Sequence, residues 1–236
     1  IREKTRPMLP ENPDSLQNLL QQELPAAGMG QYLQNQISAP VYQNTAVTYY
    51  GEARDAFEKL KEDLNKAESF IFMEYFIVSE DSAFQEIAEI LIRKVKQGVD
   101  VRFMYDDVGS VGYVNLFFAK KLSEAGIQCM VFNPALPVLN LFMNHRDHRK
   151  ITVIDGKVGF TGGYNLADEY FDRTHPYGHW KDTGIRLEGE AVQGLTALFL
   201  ELWHVTTREQ EDCSRFLSVC HSVPDTGMVQ PFGDDP

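Results

Sequence analysis

Three times between residues 46 and 133 a strand-like apolar run gives way to a helical stretch and then to another strand. "AVTYY" (46–50) reads as the first strand, and "EARDAFEKLKEDLNKA" after it puts Ala53, Phe57, Leu60, Leu64 and Ala67 on one helical face. "SFIFMEYFIV" (69–78) is almost unbroken in its apolarity, as expected of a strand covered on both faces. The next helix, "SEDSAFQEIAEILIRKVKQG", has a Ser82/Gln85 capping-box spacing and stops at Gly98. "VDVRFMYDD" is a strand, "YVNLFFAKKLSEAG" a helix ending at Gly126, and "IQCMVFN" a strand. A chain that alternates in this way folds as α/β, with a mixed β-sheet flanked by helices on both faces.

Residues 1–44 follow a different rule. They hold five of the eleven prolines and seven glutamines. "PDSLQNLLQQEL" suggests one short helix after an Asp14-Ser15 cap. The expected division is a helical or irregular lead-in over 1–44 and a single domain over 45–236. A late amphipathic helix is expected over 189–206. The net charge of −12 argues against a nucleic-acid partner, because binding a phosphate backbone needs a basic face. Cys129, Cys213 and Cys220 form no CxxC pair, so reduced structural thiols are expected. No run of eighteen apolar residues is present.

The chemistry concentrates in "NHRDHRKITVIDGKVGFTGGYN", residues 144–165. Asp155-Gly156 suits a two-residue hairpin turn with positive φ, flanked by alternating apolar residues. Alternation puts His148, Lys150 and Thr152 on one face, and Arg149, Ile151, Val153 and Asp155 on the other. An imidazole and an ammonium two residues apart can engage one phosphoryl group. Asp155 falls on the wrong face to join them, so its simplest job is in the turn or in a salt bridge behind the site. Gly162-Gly163 allows close backbone approach to a ligand. Asn165, three positions before Asp168, either caps a helix or donates to a ligand.

The pattern His148-x-Lys150-x4-Asp155-x6-Gly162-Gly163-x-Asn165 resembles the HKD motif of the phospholipase D superfamily. "NHRDHRK", "GFTGGYNLADEY", "HWKDTGIRLEG", "AESFIFMEYFIVSED" and "VQPFGDDP" are similar to segments of the bacterial cardiolipin synthases, over roughly residues 45–236. Gly163 departs from the commoner serine, which keeps a backbone donor and loses a hydroxyl.

The resemblance implies a phospholipase D-like half with His148, Lys150 and Asp155 as catalytic residues. Lys150, Gly163 and Asn165 would bind phosphate, and Asp182 would orient the histidine. It implies no cofactor and no metal. The implied reaction moves a phosphatidyl group between two phosphatidylglycerol molecules, releasing glycerol, through a phosphohistidine. Only one HKD motif is present: His145, His175, His179, His204 and His221 lack the pattern. The expected partners are therefore phosphatidylglycerol or another phospholipid, a second HKD half or a second copy of this chain, and the membrane surface. In full-length form the protein is expected at the bacterial cell membrane, with this piece soluble. The rival reading is a phospholipase D-type phosphodiesterase or nuclease that dimerises around the single motif.

Several residues have quieter expected roles. Glu74 lies inside an apolar strand and needs a partner if buried. His145 and His148 lack the further ligands of a zinc site. His175 and His179 read as exposed loop residues. Tyr164, Tyr170, Phe171 and Trp180 either pack in the core or touch ligand. "LPVLNLFMN" (136–144) reads either as a buried loop or as a lipid-facing lip.

Overall fold

A computed structural model describes residues 5–9, 13–21, 25–134, 145–208, 211–219 and 221–233. The apolar loop 136–144, with Asn144, and Cys220 lie outside these residues.

Seven strands form one mixed sheet: β1 (Thr45–Tyr50), β2 (Phe70–Tyr75), β3 (Asp100–Asp106), β4 (Gln128–Phe132), β5 (Ile151–Ile154), β6 (Val158–Gly162) and β7 (Gly184–Gly189). Their order is β1-β7-β6-β5-β2-β3-β4. The helices are α1 (Pro13–Gln21), α2 (Pro25–Ile37), α3 (Ala53–Leu64), α4 (Ser82–Lys96), α5 (Phe118–Glu124), α6 (Val192–Thr207) and α7 (Ser214–Leu217). The α/β class and the mixed sheet agree with the pattern in the sequence. The chain divides into two compact units, one of residues 49–155 and 160–186, the other of 1–48, 156–159 and 187–235.

In the first unit, β2 is buried at all six positions. It pairs in parallel with β3, Phe70 opposite Asp100, and antiparallel with β5, Ile71 opposite Ile154 and Glu74 opposite Ile151. β3 pairs in parallel with β4. The five residues expected on the inner face of α3 and just beyond it are all buried. Two helix starts differ from expectation. Asp81, not Ser82, is the cap of α4: its carboxylate accepts from Phe84 N at 3.4 Å, while the Ser82 hydroxyl donates to Asp168. A carboxylate is the stronger acceptor and takes the cap. Gly98, at φ 90°, ends that helix as expected. α5 begins only at Phe118, and Leu116 before it is 99% exposed. Asn115 explains the late start. Its side chain turns back to accept from Phe117 N, and its backbone N–H goes to Glu80, so residues 113–117 form a loop.

In the second unit, α6 departs from the amphipathic expectation, since every residue from Val192 to His204 is buried. Thr5 and Arg6 of the lead-in both bond to Glu201 on this helix, and Pro231 packs on Gly194. Among its described residues the lead-in holds two α-helices where the sequence suggested one, with a 3-10 turn at Arg6–Met8 ahead of them. Cys213 is buried with its Sγ 3.8 Å from His204 Nε2, and Cys129 is a buried thiol in the first unit. Among the described residues no helix is long and apolar enough to cross a membrane.

Candidate active site

The segment 145–150 is irregular. β5 starts only at Ile151, so His148 and Lys150 sit just ahead of the strand instead of on it. Side-chain bonds fix it in place of a ladder. Asp106, fully buried at the end of β3, accepts from Asp147 N at 3.0 Å and from Arg146 Nη1 at 3.2 Å. Arg146 Nη2 donates to Asn133 O at 2.9 Å, and Asn133 Nδ2 donates to His145 O at 2.8 Å. Arg149 Nε donates to Glu74 Oε1 at 2.7 Å and to Asp147 Oδ1 at 3.1 Å. The alternation read from the sequence persists even so. Arg149 reaches Glu74, which pairs with Ile151, while Thr152 bonds Tyr75 on the other face at 3.0 Å.

His148 and Lys150 converge on one residue that the sequence did not single out. The His148 ring lies 4.8 Å from the Phe76 ring, and Lys150 Nζ lies 5.3 Å from the same ring. Lys150 is buried, and its Nζ donates to His148 O at 2.6 Å. Burial pulls its pKa down to about 8, against the opposing fields of Asp147 and Asp182. His148 is more open. Partial burial, and then the Lys150 charge, hold its pKa below the ordinary 6.5. At neutral pH the pair is therefore a neutral imidazole beside an ammonium. A neutral imidazole is able to act as a nucleophile, and an ammonium is able to neutralise an anionic oxygen.

The remaining sequence-based candidates occupy distinct places. Asp155, at φ 54° beside Gly156 at φ 65°, makes the expected turn. Its Oδ1 accepts from Ser69 N at 2.7 Å and Phe70 N at 2.9 Å, and its Oδ2 from Glu68 N at 2.8 Å. It clasps the start of β2, at the opposite end of β5 from His148, and its carboxylate is fully engaged there. Its place is structural, and the structure does not bring it to the histidine. Asn165 is buried, and its Oδ1 accepts from Ile77 N at 2.9 Å. It caps no helix, because the short 3-10 turn that follows spans Asp168–Phe171 with Ala167 at its cap position. Its side chain also bonds Tyr170. Gly163 N donates to Thr183 O at 3.2 Å, which leaves this donor committed to the backbone. The Asp182 carboxylate lies where a Gly163 side chain would go. Asp182 Oδ1 accepts from Thr183 N at 2.8 Å, and its field acts on Lys150. Among the described residues no hydrogen bond joins Asp182 to His148.

Tyr164, Tyr170 and Phe171 are buried, which leaves them as core. His175 and His179 are exposed, as expected. Glu52, Asp172 and His179 come close enough to suggest a metal site. However, His179 turns Nδ1 to Asp172 at 2.9 Å and Nε2 to Glu52 at 3.6 Å, and Lys181 also pairs with Glu52. One imidazole thus spans two carboxylates with its opposite ring nitrogens. Of the other residues to which the sequence assigned no role, Asp106 is the first acid of "MYDD", and Asp147 and Arg149 interleave with His148 and Lys150. Acids and bases placed between motif residues were the available signal.

The model of the family described as "Cardiolipin synthase, PLD-like domain" matches residues 60–203. A Streptococcus mutans protein described as uncharacterized is 44% identical over 208 residues, 88% of this chain and 45% of its own length. A cardiolipin synthase of Halalkalibacterium halodurans is 39% identical over 199 residues, 84% of this chain and 39% of that protein. The chain thus spans less than half the length of these curated relatives. Among solved structures, Nuc from Salmonella typhimurium, a phospholipase D family member, matches with a TM-score of 0.50 at 17% identity, covering 68% of this chain and 93% of Nuc. Phosphatidylserine synthase of Haemophilus influenzae matches with a TM-score of 0.52 at 14% identity, covering 73% and 41%. At these identities the structural likeness concerns the fold alone. With the family model and the cardiolipin synthase relatives agreeing on the region that holds His148 and Lys150, this chain belongs to the PLD-like cardiolipin synthase family.

Proposed function

We propose that this chain supplies one half of a phosphatidyltransferase site, in which a phosphatidyl group passes between two phosphatidylglycerol molecules. The observation that carries this reading is the convergence of His148 and the buried Lys150 on Phe76. One ring nitrogen of neutral His148 attacks phosphorus. The bond from phosphorus to the headgroup glycerol oxygen breaks, and a proton from an acid of a second HKD half makes free glycerol. The hydroxyl of a second phosphatidylglycerol then attacks the phosphohistidine and gives up its proton to that same group. The phosphorus–nitrogen bond breaks, which restores the imidazole. Lys150 holds the non-bridging oxygens throughout. The second half comes from the same gene product or from another copy of this chain, and the site works at a membrane surface.

The test is to incubate the natural full-length gene product with phosphatidylglycerol, quench in acid and map the adduct by mass spectrometry. A phosphohistidine or phosphatidyl adduct at His148 supports the reading. Turnover with the adduct only on another histidine would make His148 the proton donor. No transfer and no adduct would sink the proposal.

A further inference from the structure

Glu74 is wholly buried and Asp147 is 1% exposed. Both carboxyls meet at the same Arg149 Nε, directly behind the segment that carries His148. One guanidinium between two buried carboxylates leaves a surplus negative charge. Arg146 does not cancel it, since that cation serves Asp106. Lys150 and His148 lie on the opposite side of the segment. Three atoms are also left over. Glu74 Oε2, Asp147 Oδ2 and Arg149 Nη2 are all buried, and none has a hydrogen-bond partner among the described residues. A buried oxygen without a donor is costly, and so is an uncompensated buried charge.

A single proton placed between the two carboxyls removes the surplus charge and pairs their two orphaned oxygens, leaving Arg149 Nη2 as it is. We propose that Glu74 is a neutral carboxylic acid that donates its proton to Asp147, and that this pair, locked by Arg149, is the mount that positions His148. Burial raises the Asp147 pKa as well, against the Arg149 charge, but Asp147 stays the anion because it collects more donors: Arg149 N at 3.3 Å as well as Arg149 Nε at 3.1 Å. Burial and then the Asp147 charge push the Glu74 pKa well above 4.5, which agrees with the assignment. The mount reaches the site through the backbone. Asp147 N is bound to Asp106, Asp147 Oδ1 holds Arg149 N, and His148 lies between these two anchors. The Asp147 and Asp106 charges also raise the His148 pKa against the Lys150 field. The positioning role rests on the phosphoryl-transfer reading above, whereas the shared proton does not.

The experiment is carbon NMR of this chain with carboxyl-labelled glutamate and aspartate. One glutamate signal should remain at the protonated position at pH 7, and Glu74→Gln should remove it. An amide also donates to Asp147, so Glu74→Gln should leave the His148 titration unmoved. In the full-length protein, adduct formation at His148 should stay within about threefold of wild type. Glu74→Ala should slow it at least about tenfold, through loss of the mount. Asp147→Asn should ionise Glu74 at pH 7, because the one negative charge facing Arg149 then moves to it. Absence of any protonated glutamate at pH 7 would overturn the proposal, whether or not the variants fold. So would an ionised Glu74 in wild type, or a Glu74→Gln variant as slow as Glu74→Ala. If transfer chemistry is absent but the protonated signal is present, the phosphatidyltransferase reading fails and the shared proton stands.

Discussion

Lys150 and His148 tune each other, and the coupling has a definite sign. The Lys150 charge lowers the His148 pKa, so Lys150→Met should raise it. Proton NMR of the His148 ring measures this, and an unchanged or lower value would contradict the pairing. In wild type the Lys150 ammonium should lose half its charge near pH 8, about where its pKa is placed, which nitrogen NMR of Nζ can follow. Asp155 has a different task. Asp155→Ala strips three backbone N–H groups of their acceptor and should cost about 3 kcal/mol in urea unfolding, with His148 titrating as before. The sequence made part of this legible. Faces in the strand pattern separated Asp155 from His148 and Lys150, and the Asp-Gly turn followed from its own chemistry. Phe76 was invisible, since a phenylalanine in an apolar run carries no mark of what it touches 72 residues later.

Elements show the same division between local and distant causes. Apolar runs located β2 and β3 because the sheet buries them along almost their whole length, whereas β1, found by the same signal, is mostly open. The start of α5 was missed because a single asparagine side chain holds the five residues 113–117 out of the helix. The all-round burial of α6 was missed because its cover comes from the far end of the chain. Arg6 and Glu201, both nearly buried and 2.5 Å apart, fasten that cover. Arg6→Ala strands a buried carboxylate and should cost about 3–5 kcal/mol by calorimetry or denaturant unfolding. Past the end of β6, Gly163 faces the Asp182 carboxylate so closely that any side chain collides with it. Gly163→Ala should therefore destabilise by about 1–3 kcal/mol. Adding Asp182→Gly should recover most of that loss, and a double-mutant cycle with additive effects would refute the contact.

At the scale of the molecule, buried ionisation links stability to pH. Folded Glu74 keeps a proton that the unfolded chain releases above about pH 4.5. Its stabilising contribution is therefore complete below that pH and declines as pH rises towards the folded pKa. Compared with Glu74→Gln, wild type should lose up to about 1.4 kcal/mol per pH unit in this window. Parallel unfolding curves of the two proteins between pH 4 and pH 8, in pH steps of about one, measure the slope. A flat difference would mean that Glu74 is ionised when folded.

The pairing of β2 has a consequence in time. β2 finds β3 about thirty residues onward, but β5 comes about eighty residues onward and the Asp155 clasp slightly later still. Closing the longer loop costs more chain entropy, so β2 and β3 have partners well before β5 docks. The segment bearing His148 takes its place only with that docking. Substitutions in β2–β3 should therefore slow refolding, whereas those at Asp155 should chiefly speed unfolding, as stopped-flow kinetics can register. An emerging chain would thus hold its β2–β3 pair first and acquire its chemistry last.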